Sequence, residues 1–133
     1  MKSLETKYEA LMRLLDRLIA VSGEDVPIIV EGKKDSTALQ ELGVNARIIC
    51  VKSSRKHTLD LLKAIKTKKE AVILTDFDRR GAELAKIVAN CLEELEVKPN
   101  LFYWKALENL VKRDVKDVEG LASYVEKLKR IMQ

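Results

Sequence analysis

Three acids stand at the ends of apolar runs. Glu31 follows PIIV (27–30), and Asp76 and Asp78 follow AVILT (71–75) as a D-x-D pair. If both runs are strands of one parallel sheet, their ends lie on the same edge, with neighbouring strands about 4.8 Å apart. Residues 76 and 78 share a face where the chain stays extended. Carboxylates this close repel one another, so either some are protonated at neutral pH or a cation sits among them. No His or Cys adjoins them in the sequence. Oxygen-only ligands favour Mg²⁺, with Mn²⁺ as a substitute, over zinc. Mg²⁺ also recruits substrate phosphate, and Lys33, Lys34, Arg79 and Arg80 flank the acids directly. Gly32 and Gly81 would let backbone approach a bound group. The helix start after Gly81 would add free N–H groups toward an anion. Each acid also has a plainer use, as a helix N-cap or turn former.

The elements that must position these acids follow from periodicity. Residues 4–21 read as an amphipathic helix with Leu4, Tyr8, Leu11, Leu15 and Leu18 on one stripe. Strands are expected at 27–30, 47–51, 71–75 and 100–104. Helices are expected at 35–42, stopped by Gly43, and at 59–67, with Thr58 as N-cap. Further helices fall at 80–95, 105–112 and 117–131, the last with Val118, Leu121, Val125, Leu128 and Met132 at spacings of three and four. Strands alternating with helices imply a parallel sheet, and strands apolar on both parities imply helices on both faces. The expected fold is a three-layer, Rossmann-like α/β domain with strand order 2-1-3-4. Its switch point, between strands one and three, is where such sheets bind ligands.

The chain has 133 residues, enough for one domain spanning 1–133. Such a chain buries roughly two-thirds of the surface its unfolded form exposes. Hydrophobic residues are 47%, which supports a core, and charged residues are 35%. Abundant Lys and Glu with few Asn and Gln point to a thermophilic source. Cys50 and Cys91 lie in apolar runs without metal spacing and read as buried thiols of a cytoplasmic protein. No apolar run approaches the roughly 20 residues of a membrane helix. Net charge is +4, yet the segment 52–69 alone carries +6, leaving −2 for the rest. That local excess is a candidate phosphate or nucleic-acid footprint, or else a solvated helix face.

VEGKKD (30–35) and TDFDRRG (75–81) resemble the two signature motifs of the Toprim domain. That domain is shared by type IA and type II topoisomerases, bacterial primases, nucleases of the overcoming-lysogenization-defect class, recombination mediators and ribosomal-RNA maturation nucleases. The resemblance covers about residues 24–105, and the whole chain is similar to the small stand-alone Toprim proteins of archaea. It implies one or two Mg²⁺ ions held by Glu31, Asp76 and Asp78, with Glu31 also an acid/base candidate and Lys33 a catalytic cation. Lys33 and Asp35 match the VEGK-x-D form of the small and nuclease-like members. The implied chemistry is Mg²⁺-dependent phosphoryl transfer on RNA or DNA. The chain departs from the larger relatives. Tyr8 and Tyr124 sit on terminal helices without basic context and Tyr103 in an expected buried strand, so none is a good topoisomerase nucleophile. A primase would need template-holding domains for which there is no room.

Other residues have weaker claims. Arg55, Lys56 and His57, with Ser53 and Ser54, are expected in a loop after the second strand, where they could contact a phosphate backbone. Phe102 and Trp104 could stack on a base, though core packing is the simpler expectation. The terminal helices are expected to pack on the sheet, with pairing into a homodimer as the alternative. Against the nuclease-like reading stands a non-catalytic nucleic-acid-binding or scaffold module that works with a protein partner. A phosphoacceptor receiver domain would need an acid pair after the first strand and a lysine after a fifth, and neither is evident.

Overall fold

The computed structural model describes residues 3–51 and 55–133, apart from the side chain of Arg55. Its elements are α1 (Leu4–Ser22), β1 (Ile28–Val30), α2 (Lys33–Glu41), β2 (Ile48–Cys50), α3 (Arg55–Leu62, extended by a 3₁₀ turn Lys63–Ile65), β3 (Glu70–Leu74), α4 (Arg79–Glu94), β4 (Lys98–Asn100), α5 (Phe102–Val111) and α6 (Val118–Met132). The strands form one parallel sheet in the order β2-β1-β3-β4.

Alternation along the central strands builds two cores. Ile28, Val30, Val72 and Leu74 pack with α1, α2, α5 and α6. Ile29, Ala71 and Ile73 face the other way, onto α3 and α4. All of these strand residues are buried, which is why the runs read as apolar on both parities. The terminal helices pack within the chain: Leu11, Leu15 and Leu18 of α1 and Val118, Leu121, Val125 and Leu128 of α6 are buried. Leu4 and Met132, at the outer ends of the two stripes, stay exposed. Gly43 closes α2 at φ +94°, where the Val44 N–H reaches the Leu39 carbonyl at 2.9 Å. No helix among the described residues is long and apolar enough to cross a membrane.

Three expectations need correction. The fourth strand ends at Asn100, so Phe102, Tyr103 and Trp104 lie on α5. Aromatic residues favour strands, but Asn100 turns the chain. Its Oδ1 accepts the Phe102 N–H at 2.9 Å, and its Nδ2 donates to Glu70 at 2.6 Å. Pro99, which lacks an N–H, fits because β4 is an edge strand paired only with β3. Tyr103 and Trp104 are buried, but Phe102 is 47% exposed, under Arg17 at 4.7 Å, and is not a core residue. The helix expected from 59 starts at Arg55. Thr58 is therefore a fully buried residue inside α3, not its N-cap, and Lys56 and His57 are helical and exposed. Cys91 is buried, whereas Cys50, on the edge strand β2, is only half-buried.

Candidate metal centre

β1 and β3 are neighbours in register, Val30 beside Leu74. Glu31 and the 75–78 turn therefore leave the sheet side by side at its switch point. The Glu31 Oε2 accepts the Asp76 backbone N–H at 2.7 Å, and this bond joins the two motifs directly. Asp78 caps α4, its Oδ1 accepting the Gly81 N–H at 2.7 Å. Each of these carboxylates thus performs a plain structural task with one oxygen and keeps further acceptor capacity.

The turn itself is fastened from three sides. The Trp104 indole N–H of α5 donates to the carbonyls of Thr75 and Asp76, at 3.0 and 3.3 Å. The Phe77 ring packs on Trp104, and the Phe77 N–H reaches the Lys116 carbonyl at 2.6 Å. The Thr75 hydroxyl donates to the Gly81 carbonyl at 2.7 Å. The close approach at Gly81 is to the chain itself: a Cβ there would lie 1.8 Å from the Asp76 carbonyl oxygen. Gly32 is unlike it, since a Cβ would meet nothing nearer than 3.9 Å and its N–H is held by Asp35.

Two acids beyond the three join the cluster. Asp35 is buried and accepts from the Gly32 N–H at 3.1 Å and from the Glu119 N–H at 3.0 Å, so it ties the first motif to the start of α6. Asp117 caps α6 through the Gly120 N–H at 2.6 Å. Burial pushes the Asp76 carboxyl up to about 7, reinforced by the charges of Glu31, Asp35, Asp117 and Asp78. Burial likewise raises Asp35.

Among the described residues, no group of three or more His, Cys, Asp or Glu side chains is arranged to hold a metal ion. The donor set still fits Mg²⁺. It is all oxygen, it crowds like charges around the half-buried Asp76, and Mg²⁺ needs only one or two carboxylates when water and phosphate complete its shell.

The expected cations are distributed unevenly. Lys33 and Lys34 lie on the first turn of α2, and Arg79 and Arg80 on that of α4, all exposed. Lys56 and His57 begin α3, which follows β2 at the same sheet edge. Lys52, Ser53 and Ser54 lie outside the described residues, as does the Arg55 side chain. The rest of the basic run leaves this edge. Lys63 pairs with Asp60 at 3.4 Å. Lys68 reaches Asp25 at 2.7 Å, and the Lys69 carbonyl accepts the N–H of Lys98, at the opposite end of the strands. The +6 segment is therefore not one patch. Asp117, Lys116 and the clamp formed by Trp104 escaped the sequence reading. The one signal for Asp117 was its D-x-x-G spacing, the same as Asp78 to Gly81. Tyr124, judged to lack basic context, has Lys7 5.6 Å above its ring.

The family model described as Toprim domain matches residues 26–119. A UPF0292 protein of Thermococcus kodakarensis is 40% identical over 114 residues, covering 86% of this chain and 82% of its own. A UPF0292 protein of Methanocaldococcus jannaschii is 33% identical over 120 residues, covering 90% and 93%. A solved structure of a protein from Aquifex aeolicus shares the fold with a TM-score of 0.70 at 21% identity, covering 83% of this chain and 96% of that one.

Proposed function

We propose, because this chain belongs to the Toprim domain family and its motif acids gather at one sheet edge, that it catalyses Mg²⁺-dependent phosphoryl transfer on nucleic acid, as a small nuclease-like protein. The family ties the chain to nucleic-acid-related, metal-binding function. The observation that carries the finer reading is the bond from the Asp76 N–H to Glu31, which joins the two motifs where a parallel sheet binds ligands.

Asp76, Asp78 and Glu31 would hold one or two Mg²⁺ ions, with Mn²⁺ able to substitute. Bound there, the metal supplies Lewis-acid stabilisation of charge on the transferring phosphate. Lys33, Lys34, Arg79 and Arg80 orient that phosphate and offset its charge. The oxygen of Glu31 left over from the Asp76 bond holds or moves a proton on the attacking group.

A second reading has its own support. Glu31 and Asp78 both serve backbone amides, and among the described residues no group of three or more acids, His or Cys is arranged to hold a metal ion. Those features suit a module that binds nucleic acid without cutting it and works with a protein partner. Incubation with single- and double-stranded RNA and DNA in millimolar Mg²⁺ or Mn²⁺ separates the two. The enzyme reading expects metal-dependent cleavage that falls by about 100-fold or more in Asp76→Asn, the scale of losing a main electrostatic element. Binding without cleavage of any of the four substrates would leave the second reading standing.

A further inference from the structure

We infer that the α5–α6 turn, residues 112–117, is a second phosphodiester-binding arm of this site, with Lys112, Arg113 and Lys116 contacting the nucleic-acid backbone. The inference rests on the proposed nucleic-acid function and names a surface that neither motif contains.

The geometry brings the arm to the carboxylates. The Lys116 carbonyl accepts the N–H of Phe77, the residue between Asp76 and Asp78, at 2.6 Å. Asp35 of the first motif accepts the Glu119 N–H at 3.0 Å, in the first turn of the helix that Asp117 caps. These are two independent signs that the turn borders the metal centre.

The arm is also held in shape. Val115 is buried in the core, and the N–H groups of Asp114 and Val115 both reach the Val111 carbonyl. Asp114 takes Lys7 at 2.8 Å and the Tyr124 hydroxyl at 3.2 Å. Its carboxyl is held below the ordinary range, first by the Lys7 bond. The two acids of the turn are thus committed, Asp114 to α1 and α6 and Asp117 to capping α6. Lys112, Arg113 and Lys116 are exposed, and none takes part in a salt bridge among the described residues. Lys112 and Arg113 at the end of α5 also complement its dipole, but Lys116 lies beyond that effect. The backbone of the arm is already ordered, so contacting a phosphate backbone costs only the side-chain freedom of these cations.

The test is the salt dependence of binding. A labelled single-stranded oligonucleotide, as RNA and as DNA, is titrated in EDTA across a range of NaCl with three proteins. These are the native chain, the triple variant Lys112→Gln/Arg113→Gln/Lys116→Gln, and the triple variant Lys63→Gln/Lys66→Gln/Lys69→Gln. Each lost phosphate contact should lower the slope of log K against log[salt] by about 0.7, so the first variant should lose about 2 and the second almost nothing. Lys116 supports the fold through its carbonyl, so its side-chain change should leave the circular dichroism unaltered. If the triple variant misfolds, the single variants carry the test at about 0.7 each. An unchanged slope in the first variant overturns this inference and leaves the proposed function intact. Equal losses in both variants overturn it in favour of diffuse charge. No binding of RNA or DNA by the native chain, in EDTA and again in millimolar Mg²⁺, overturns it together with the nucleic-acid reading; binding in Mg²⁺ alone moves the same slope comparison to Mg²⁺. The RNA and DNA titrations show which backbone the arm prefers.

Discussion

At the scale of single residues, two glycines of the motifs have opposite tolerance. A Cβ at Gly81 would lie 1.8 Å from a backbone oxygen, whereas at Gly32 the nearest atom is 3.9 Å away and φ is an ordinary −141°. Gly81→Ala should therefore cost about 2–4 kcal/mol, at or beyond the usual overpacking range, and Gly32→Ala about 0.5 or less. Urea denaturation checks both, and equal losses would contradict the close-approach argument. Asp76 gives a pH signature. Its folded pKa near 7 lies above the ordinary 3.8. Between those values the unfolded chain releases a proton that the folded chain keeps. Without metal, stability should fall as pH rises from about 4 to about 7 and level off above. Asp76→Asn should lack that contribution and be the more stable form in EDTA at pH 8, and Mg²⁺ should recover stability only for the native chain. Parallel profiles for the two proteins would refute this. Glu31, Asp76 and Asp78 were legible because strand ends of a parallel sheet must share an edge. Asp117 was not, because its place depends on where a turn between two helices comes to rest.

At the scale of elements, two helices end in the same geometry with different residues. Gly43 follows α2 at φ +94°, and Glu96 follows α4 at φ +61° with the Val97 N–H on the Leu92 carbonyl at 2.8 Å. A left-handed conformation costs an L-residue about 1–2 kcal/mol, part of which glycine's greater unfolded freedom offsets. Glu96→Gly should stabilise the protein by about 0.5–1 kcal/mol, helped by removing an acid from a helix C-terminus. Its unfolding midpoint in denaturant tests this, and a loss would show that the Glu96 side chain has work of its own. The central strands were readable because buried parallel strands are apolar on both parities. The β4–α5 junction was not. Three aromatic residues in a row favour a strand locally, and tertiary contacts decide for the helix: the Asn100 bonds to Phe102 and Glu70 and the burial of Tyr103 and Trp104.

At the scale of the whole molecule, the layers separate what the sequence runs together. One stretch of basic residues passes from the carboxylate edge along α3 to the opposite edge. Charge counted along the chain therefore overstates the charge at the site. Composition remains informative. Lys and Glu abundance and scarce amides predict a melting midpoint above the roughly 45–65 °C of ordinary mesophile domains. A calorimetric scan decides, and a midpoint inside that range would remove the thermophile argument.

The bond from Asp35 to the Glu119 N–H has a consequence for synthesis. A ribosome delivers the first motif long before α6. Until residues 117–120 emerge, the buried Asp35 carboxylate lacks one of its two amide partners, and Asp76 lacks the neighbouring acid that caps α6. The motif that is made early is finished late. A nascent chain halted before α6 would carry the carboxylates without their final arrangement, so the proposed Mg²⁺ binding should appear only once α6 has emerged.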